Sequence, residues 1–325
     1  MQDRPEGLDD VDLAAALADG WGLRVGASTY LPVGFGAYHW SVTDHDGRCW
    51  FVTVDDLAAG PEPADATCAA LGRALATAVA LHHDAGLEFV VAPVLGRAGE
   101  PLRRLDARYA VSVFPAVDGT AGRFGPHRPQ DVPEVLELLA RLHAATPAAA
   151  GTVAPADLAV PGRAGLVAAL RDLDRPWTGG PFAEPARRLL ADRAARVAGL
   201  LAEVDRLVAR VAAAGADWVV THGEPHPGNL MRTAAGLRLV DWDTVRLGPP
   251  ERDLWFLAGG DDGGADALTG YAAATGRPVN PDALALYRLR WTVADIAGFV
   301  ADFRRPHGEG QDSAAAFGYL SGYLA

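Results

Sequence analysis

The sequence predicts an α+β fold with a small antiparallel-sheet N-terminal lobe and a larger helical C-terminal lobe. Three observations predict it. Between Ala27 and Val54 the residues alternate and turn as strands of a sheet do. From Val132 onward, apolar residues recur at helical spacing instead. Half of the residues are hydrophobic, enough for a sizeable core, and no internal repeat or low-complexity linker interrupts the chain of 325 residues.

The elements follow in order. "STYLPV", "AYHWSV" and "CWFVTV" read as strands, the first two joined by "GFG" and the last two by the hairpin signal "DHDGR". Pro-rich "AAGPEPAD" then leads into a helix from Asp65 to Asp84, stopped at Gly86. "LEFVVAPVL" and "RYAVSVFPAV" read as two further strands, which completes a five-stranded lobe with one helix. A hinge is expected at 114–119, giving a first lobe over 1–117 and a second over 118–325. In the second lobe, Val132, Val135, Leu136, Leu139 and Leu142 mark one helix, and a long helix is expected over 184–214. "NLM…LRLVDW" reads as a short hairpin, and the remainder from Ala265 as mostly helical.

Composition narrows the function. The chain carries 41 acids against 29 bases, a net charge of −12, which argues against nucleic acid or an anionic membrane as partner because both select basic patches. The acidic start "MQDRPEGLDDVDLAAALADG" shows no apolar signal region. No apolar run reaches the ~20 residues that span a bilayer, so a cytoplasmic location is expected. The two cysteines, Cys49 and Cys68, make neither a disulfide framework nor a metal pattern. All 29 basic residues are arginine, so no mechanism that needs a lysine is open to this chain.

The chemistry concentrates in "THGEPHPGNLMRTAAGLRLVDWD", Thr221 to Asp243. His222 and His226 stand four apart, but Pro225 and Pro227 forbid the regular helix that would turn both toward one zinc ion. Phosphoryl transfer fits better. It needs a carboxylate to accept a hydroxyl proton and oxygen ligands for Mg²⁺ at the phosphates of a nucleotide. The H-x-D-x-x-x-x-N spacing of kinase catalytic loops is kept by His222, Glu224 and Asn229, with glutamate in place of aspartate. A hairpin from Asn229 to Asp241 would bring both to one metal site, with Asp243 as a further ligand. In the first hairpin, Gly34 and Gly36 offer a backbone without Cβ that can lie close over phosphates.

The segment "THGEPHPGNL…LRLVDWDTVRLGPPERDLWFL", with "YRLRWTVADIAGFV" after it, resembles the aminoglycoside phosphotransferase and choline kinase superfamily, which shares the bilobal protein-kinase fold. The spectinomycin phosphotransferase branch is the most similar. The resemblance implies O-phosphorylation of a small molecule by ATP or GTP, with Mg²⁺. It implies Glu224 at the catalytic-base position, Asn229 and Asp241 at the Mg²⁺ positions, and Phe114, Ala116 and Val117 in the purine-binding hinge. His222 would orient the loop and Asp253 brace it. The acceptor would lie on the helical lobe, where Tyr287, Trp291, Asp295 and Asp302 fall near one face of a helix, an aromatic and acidic surface suited to a cation. Asp261 and Asp262 would add negative potential. An antibiotic acceptor, of aminoglycoside, aminocyclitol or nucleoside type, is expected. A metabolic kinase for an amino alcohol or sugar, and a weakened pseudokinase-like binding protein, are the alternatives.

Three positions depart from the family pattern. Glu224 replaces the usual aspartate and, without backbone compensation, would move the carboxylate by about 1 Å, a misplacement that can slow a reaction ~10²-fold. Thr53 stands where the lysine of the third strand belongs, and Arg73 about where its partner glutamate belongs. Losing both members of an ion pair leaves no orphan charge, and Arg73 would restore a positive group at the phosphates.

Overall fold

The computed structural model describes every residue except 35, 61, 216 and 259–263. The chain forms two compact units. One comprises 1, 3–156 and 218–279, and the other comprises 2, 157–217 and 280–325.

The first unit opens with helix α1 (Asp10–Trp21), capped by Asp9, whose side chain accepts the backbone N–H groups of Val11 and Asp12. This helix is not among the elements expected from the sequence. Strands β1 (Val25–Leu31), β2 (Ala37–Asp44) and β3 (Cys49–Asp56) form the expected meander. Helix α2 (Ala64–His83) follows, then the two-residue β4 (Arg103–Arg104) and β5 (Tyr109–Pro115). The sheet order is β1-β2-β3-β5-β4, antiparallel throughout. Its fifth strand is therefore β4 and not "LEFVVAPVL". That stretch is interrupted by Pro93 and bonds piecemeal instead, Val91 N–H to Leu239 O (3.0 Å) and Val94 N–H to Val113 O (2.7 Å).

Period-two alternation decides which β3 residues matter for function. Val52 and Val54 are fully buried and join Leu13, Leu17 and Trp40 in the core beneath α1. Phe51, Thr53 and Asp55 must then share the opposite, partly open face. By length and composition α2 alone among the described helices is apolar enough to cross a membrane, contrary to the expectation that no segment is. Its Ala74, Leu75, Thr77, Ala78 and Leu81 are buried within this unit.

Short β6 (Thr120–Ala121), helix α3 (Val132–Ala144) and the single turn α4 (Thr146–Ala149) precede the second unit. The chain then contributes α5 (Arg163–Arg171), α6 (Ala183–Asp192) and α7 (Ala194–Ala214) to that unit. The single helix expected over 184–214 is thus two, parted at Arg193, whose φ of −115° and ψ of 11° leave the helical region. Returning to the first unit, β7 (Val219–Thr221), β8 (Leu230–Thr233), β9 (Gly236–Leu239) and β10 (Arg246–Gly248) frame the polar segment. β8 and β9 make the expected hairpin, and β10 pairs with β7. Helices α8 (Glu251–Leu254) and α9 (Gly264–Thr275) close this unit. Helices α10 (Pro281–Arg304) and α11 (Gln311–Leu324) complete the second unit, where Leu166, Leu190, Val197, Val293, Ile296 and Leu320 form its core.

Candidate active site

The loop between β7 and β8 hangs on one buried carboxylate. Asp253, fully buried on α8, accepts the backbone N–H of His222 (2.9 Å) and of Gly223 (2.6 Å) and faces His143 Nε2 at 3.0 Å. Burial alone would raise the Asp253 pKa, but the His143 hydrogen bond, with the charges of His143, Arg252 and His222, outweighs it and holds the carboxyl low. Asp253 therefore braces the loop as an anion, as the sequence anticipates. Arg252 fixes the loop from beside it, donating to Thr221 Oγ1 (2.9 Å) and Thr244 O (2.6 Å). Gly223 adopts φ +101°, and a Cβ there would run into the Arg252 guanidinium, so this position requires glycine on both counts.

His222 is fully buried, and burial depresses its pKa to about 4, so the ring is neutral. Its bonds define the tautomer. Nδ1 accepts the Glu224 N–H (3.2 Å), which leaves Nε2–H to donate to Val240 O (2.9 Å). The ring packs edge-on against buried Trp242 at 4.7 Å between centroids. One side chain thus ties the start of the loop to the residue before Asp241. The same loop is closed from its other end, where Asn229 Nδ2 donates to Glu224 O (3.0 Å). Among the described residues no hydrogen bond reaches the Asn229 amide oxygen.

Asp241 has φ +67°, the one positive value for a non-glycine among the described residues. Such a conformation costs about 1–3 kcal/mol and persists where the surroundings impose it. Here the flanking bonds do so. Val240 N–H donates to Asn229 O (3.0 Å) and Trp242 Nε1 to Leu239 O (2.9 Å). With Trp242 turned into the core, Asp241 and Asp243 are exposed on either side of it and feel each other's charge.

Desolvation by the protein around these two carboxyls raises the pKa of each; for Asp241 the charges of Asp243, Glu224 and Asp55 raise it further. Asp55 is not among the residues expected from the sequence. It sits two residues beyond Thr53 on the open face of β3, and burial, then Asp243, pushes it up to about 7. Four acids thus feel one another's charge, with Arg246 and Arg252 set against Asp243. A field in which acids outnumber bases is one that a divalent cation relieves. Asp55→Asn offers a check on metal-free protein. The carboxyl is penalised in the folded state above pH 7 and unpenalised below its unfolded pKa of 3.8. The variant is therefore expected to melt higher than wild type at pH 8, by at most about 4 kcal/mol of stability, with no gain near pH 4. Equal melting temperatures at both pH values would refute the field.

The remaining predicted residues divide between the units. In the first, Gly34 and Gly36 have φ +71° and +94°, as a loop of close backbone approach requires. Thr53 Oγ1 meets His39 Nδ1 at 3.2 Å, and His39 in turn packs on Phe51 at 5.0 Å between centroids. Burial depresses the His39 pKa to about 4, making it a neutral second residue of this face that no motif in the sequence marks. Phe114 lies opposite Phe51 in the β3–β5 register, with Ala116 exposed and Val117 partly exposed just beyond it. Arg73 is exposed on α2, and its charge is felt at Arg246. In the second unit, Asp295 accepts the Tyr323 hydroxyl (2.5 Å), which also lies 3.3 Å from Trp291 Nε1. Tyr287 is buried at 3 % exposure, and Asp302 is exposed beside Arg305. Asp261 and Asp262 lie outside the described residues. Among the described residues no group of three His, Cys, Asp or Glu forms a ready metal centre, and His222 and His226 do not make one.

The chain belongs to the APH phosphotransferase enzyme family, whose pattern covers residues 29–289, within the aminoglycoside phosphotransferase and choline kinase superfamily. Protein StrN of Streptomyces griseus is 31 % identical over 256 residues, covering 74 % of this chain and 73 % of that protein. A spectinomycin phosphotransferase solved with ADP and spectinomycin superposes with a TM-score of 0.74 at 16 % identity, over 98 % of this chain and 95 % of that one. The choline kinase LicA from Streptococcus pneumoniae gives 0.59 at 14 % identity, over 96 % and 97 %. At such low identities the two structures establish the fold.

Proposed function

We propose that this phosphotransferase moves the γ-phosphoryl group of ATP or GTP to a hydroxyl of a small antibiotic, of aminoglycoside, aminocyclitol or nucleoside type, and so confers resistance. The observation that carries the proposal is the loop brace. Asp253 holds the N–H groups of His222 and Gly223, His222 holds the Glu224 N–H, and Asn229 fastens the Glu224 carbonyl, while the Glu224 charge is felt at Asp241. Glu224 accepts the acceptor hydroxyl's proton or orients that hydroxyl.

The donor set fits a hard cation. Asn229 Oδ1, Asp241 and Asp243 are oxygen ligands in an acidic field, and Mg²⁺ typically takes one or two protein carboxylates and keeps several waters. When bound there, Mg²⁺ would neutralise charge on the nucleotide phosphates. Gly34 and Gly36 approach the phosphates, Phe114, Ala116 and Val117 take the purine, and Arg73 supplies positive charge in a chain without lysine. On the acceptor side, Trp291 and Asp295, joined through Tyr323, present an aromatic and acidic pair to a cationic substrate, with Tyr287, Asp302 and Asp261 as further candidates. The spectinomycin phosphotransferase supports an antibiotic acceptor, whereas the choline kinase keeps the fold open to amino alcohols.

Calorimetry with ATP and with GTP tests the nucleotide half. Binding of at least one, strengthened by Mg²⁺, is expected. Binding of neither, with or without Mg²⁺ and acceptor, would remove the kinase assignment.

A further inference from the structure

Resting on that reading, the positive charge at the phosphates can be assigned more fully. β3 offers none, since its open face carries Phe51, Thr53 and the acid Asp55. Several arginines of the first unit are already occupied. Arg104 is bonded to Asp65, Arg108 to Asp56, and Arg252 gives its guanidinium to Thr221 and Thr244.

Arg246 differs. β10 holds its backbone opposite Thr221, whose Oγ1 donates to Arg246 O at 2.8 Å. The guanidinium is partly buried, and only Nη1 is used, on Val245 O (2.6 Å) and Asp243 O (3.3 Å). Among the described residues neither Arg246 nor Arg73 takes part in an ion pair. Asp243 draws on Arg246 from its own hairpin, while Arg252 from α8 and Arg73 from α2 repel it. A guanidinium with open donors, set next to the metal-ligating hairpin and pressed by two like charges, is a site for an anion.

We propose that Arg246 binds the phosphates of the nucleotide, in concert with Arg73, and with it replaces the lysine that this chain lacks. The two come from different elements, β10 and α2, and the Arg73 charge is felt at Arg246.

The test compares ligands that differ only in phosphate. By calorimetry at fixed Mg²⁺, wild type is expected to bind ADP or GDP more tightly than adenosine or guanosine. Arg246→Ala is expected to weaken the diphosphate about tenfold or more while leaving the nucleoside unchanged. Arg246→Lys is expected to recover part of the loss, and Arg73→Ala combined with Arg246→Ala to lose less than the product of the single effects. If the alanine variant melts well below wild type, Arg246→Gln, which keeps donors for the two carbonyls, decides by the same ratio. A diphosphate affinity within twofold of wild type, or an equal loss for diphosphate and nucleoside, overturns the assignment of Arg246 alone. A wild-type protein that binds none of the four overturns the nucleotide reading as well.

Discussion

Glu224→Gln is expected to lower kcat by ~10²-fold or more while nucleotide affinity stays near wild type. The substitution keeps the length of the side chain and removes its charge and basicity. The loop around it is held by backbone and neighbouring groups, since Glu224 N–H bonds His222 Nδ1 and Glu224 O receives Asn229 Nδ2. Folding is therefore expected to be unaffected, and a matching melting temperature is part of the result. Glu224→Asp is informative alongside it. If the family's shorter acid were simply interchangeable, the aspartate variant would match or exceed wild type. The ties around Glu224 hold its backbone atoms, so a shorter side chain withdraws the carboxylate and a loss in kcat is expected, because shifts near 1 Å cost up to ~10²-fold. A glutamine variant of near wild-type rate would reduce Glu224 to a structural residue.

Asp253→Ala is expected to have the largest effect on stability. Removing a fully buried carboxylate orphans the N–H groups of His222 and Gly223 and strips His143 of its partner, leaving it only the Tyr271 hydroxyl at 2.8 Å. Breaking a buried, charged network from one side costs about 3–5 kcal/mol. Activity should fall with it, since the same bonds set the entry to the catalytic loop. The linkage has a definite sign. The Asp253 pKa is held below the ordinary aspartate value of 3.8, so its contribution is present above that value and is lost as pH falls through the folded-state pKa. His222 titrates at about 4 when folded, against 6.5 for an ordinary histidine. Its neutral, buried ring is therefore uncharged at no cost above pH 6.5, and stability is lost on acidification between the two values. Chemical denaturation at pH 7, pH 4 and pH 2 measures both, the first interval reading His222 and the second Asp253. An Asp253→Ala protein within about 1 kcal/mol of wild type at pH 7 would contradict the brace.

The site was most legible where spacing carries the chemistry. His222, Glu224, Asn229 and Asp241 are separated by fixed short distances along the chain, and backbone bonds among their loops enforce what that spacing suggests. Asp253 was legible only through the family resemblance. Asp55 was not, because it belongs to no motif and stands beside the more conspicuous gap at Thr53. Strand alternation puts position 55 on the same face, and that signal was available. Arg246 was hidden because an arginine three residues past a metal-ligand motif carries no local signature; only the β7–β10 pairing brings it back beside the loop.

Fold errors have similar causes. "LEFVVAPVL" has the β-branched composition of a strand, but Pro93 and contacts with two different partners, Leu239 and Val113, prevent a ladder. Helix α1 was masked by its acids, although Asp9 as N-cap and Leu13 and Leu17 at helical spacing announce it. The break at Arg193 has no glycine or proline to mark it.

Phosphoryl transfer itself is tested most directly by nucleotide turnover. Purified protein is incubated with ATP or GTP and Mg²⁺ against aminocyclitol, aminoglycoside, nucleoside and macrolide antibiotics, with choline and free sugars beside them, and products are weighed by mass spectrometry. The expected result is nucleotide consumption that depends on both Mg²⁺ and one antibiotic, with a single phosphate added to that antibiotic. Turnover only with an amino alcohol or sugar would contradict the antibiotic acceptor. Absence of any phosphorylated product, from protein shown to bind nucleotide, would contradict phosphotransfer.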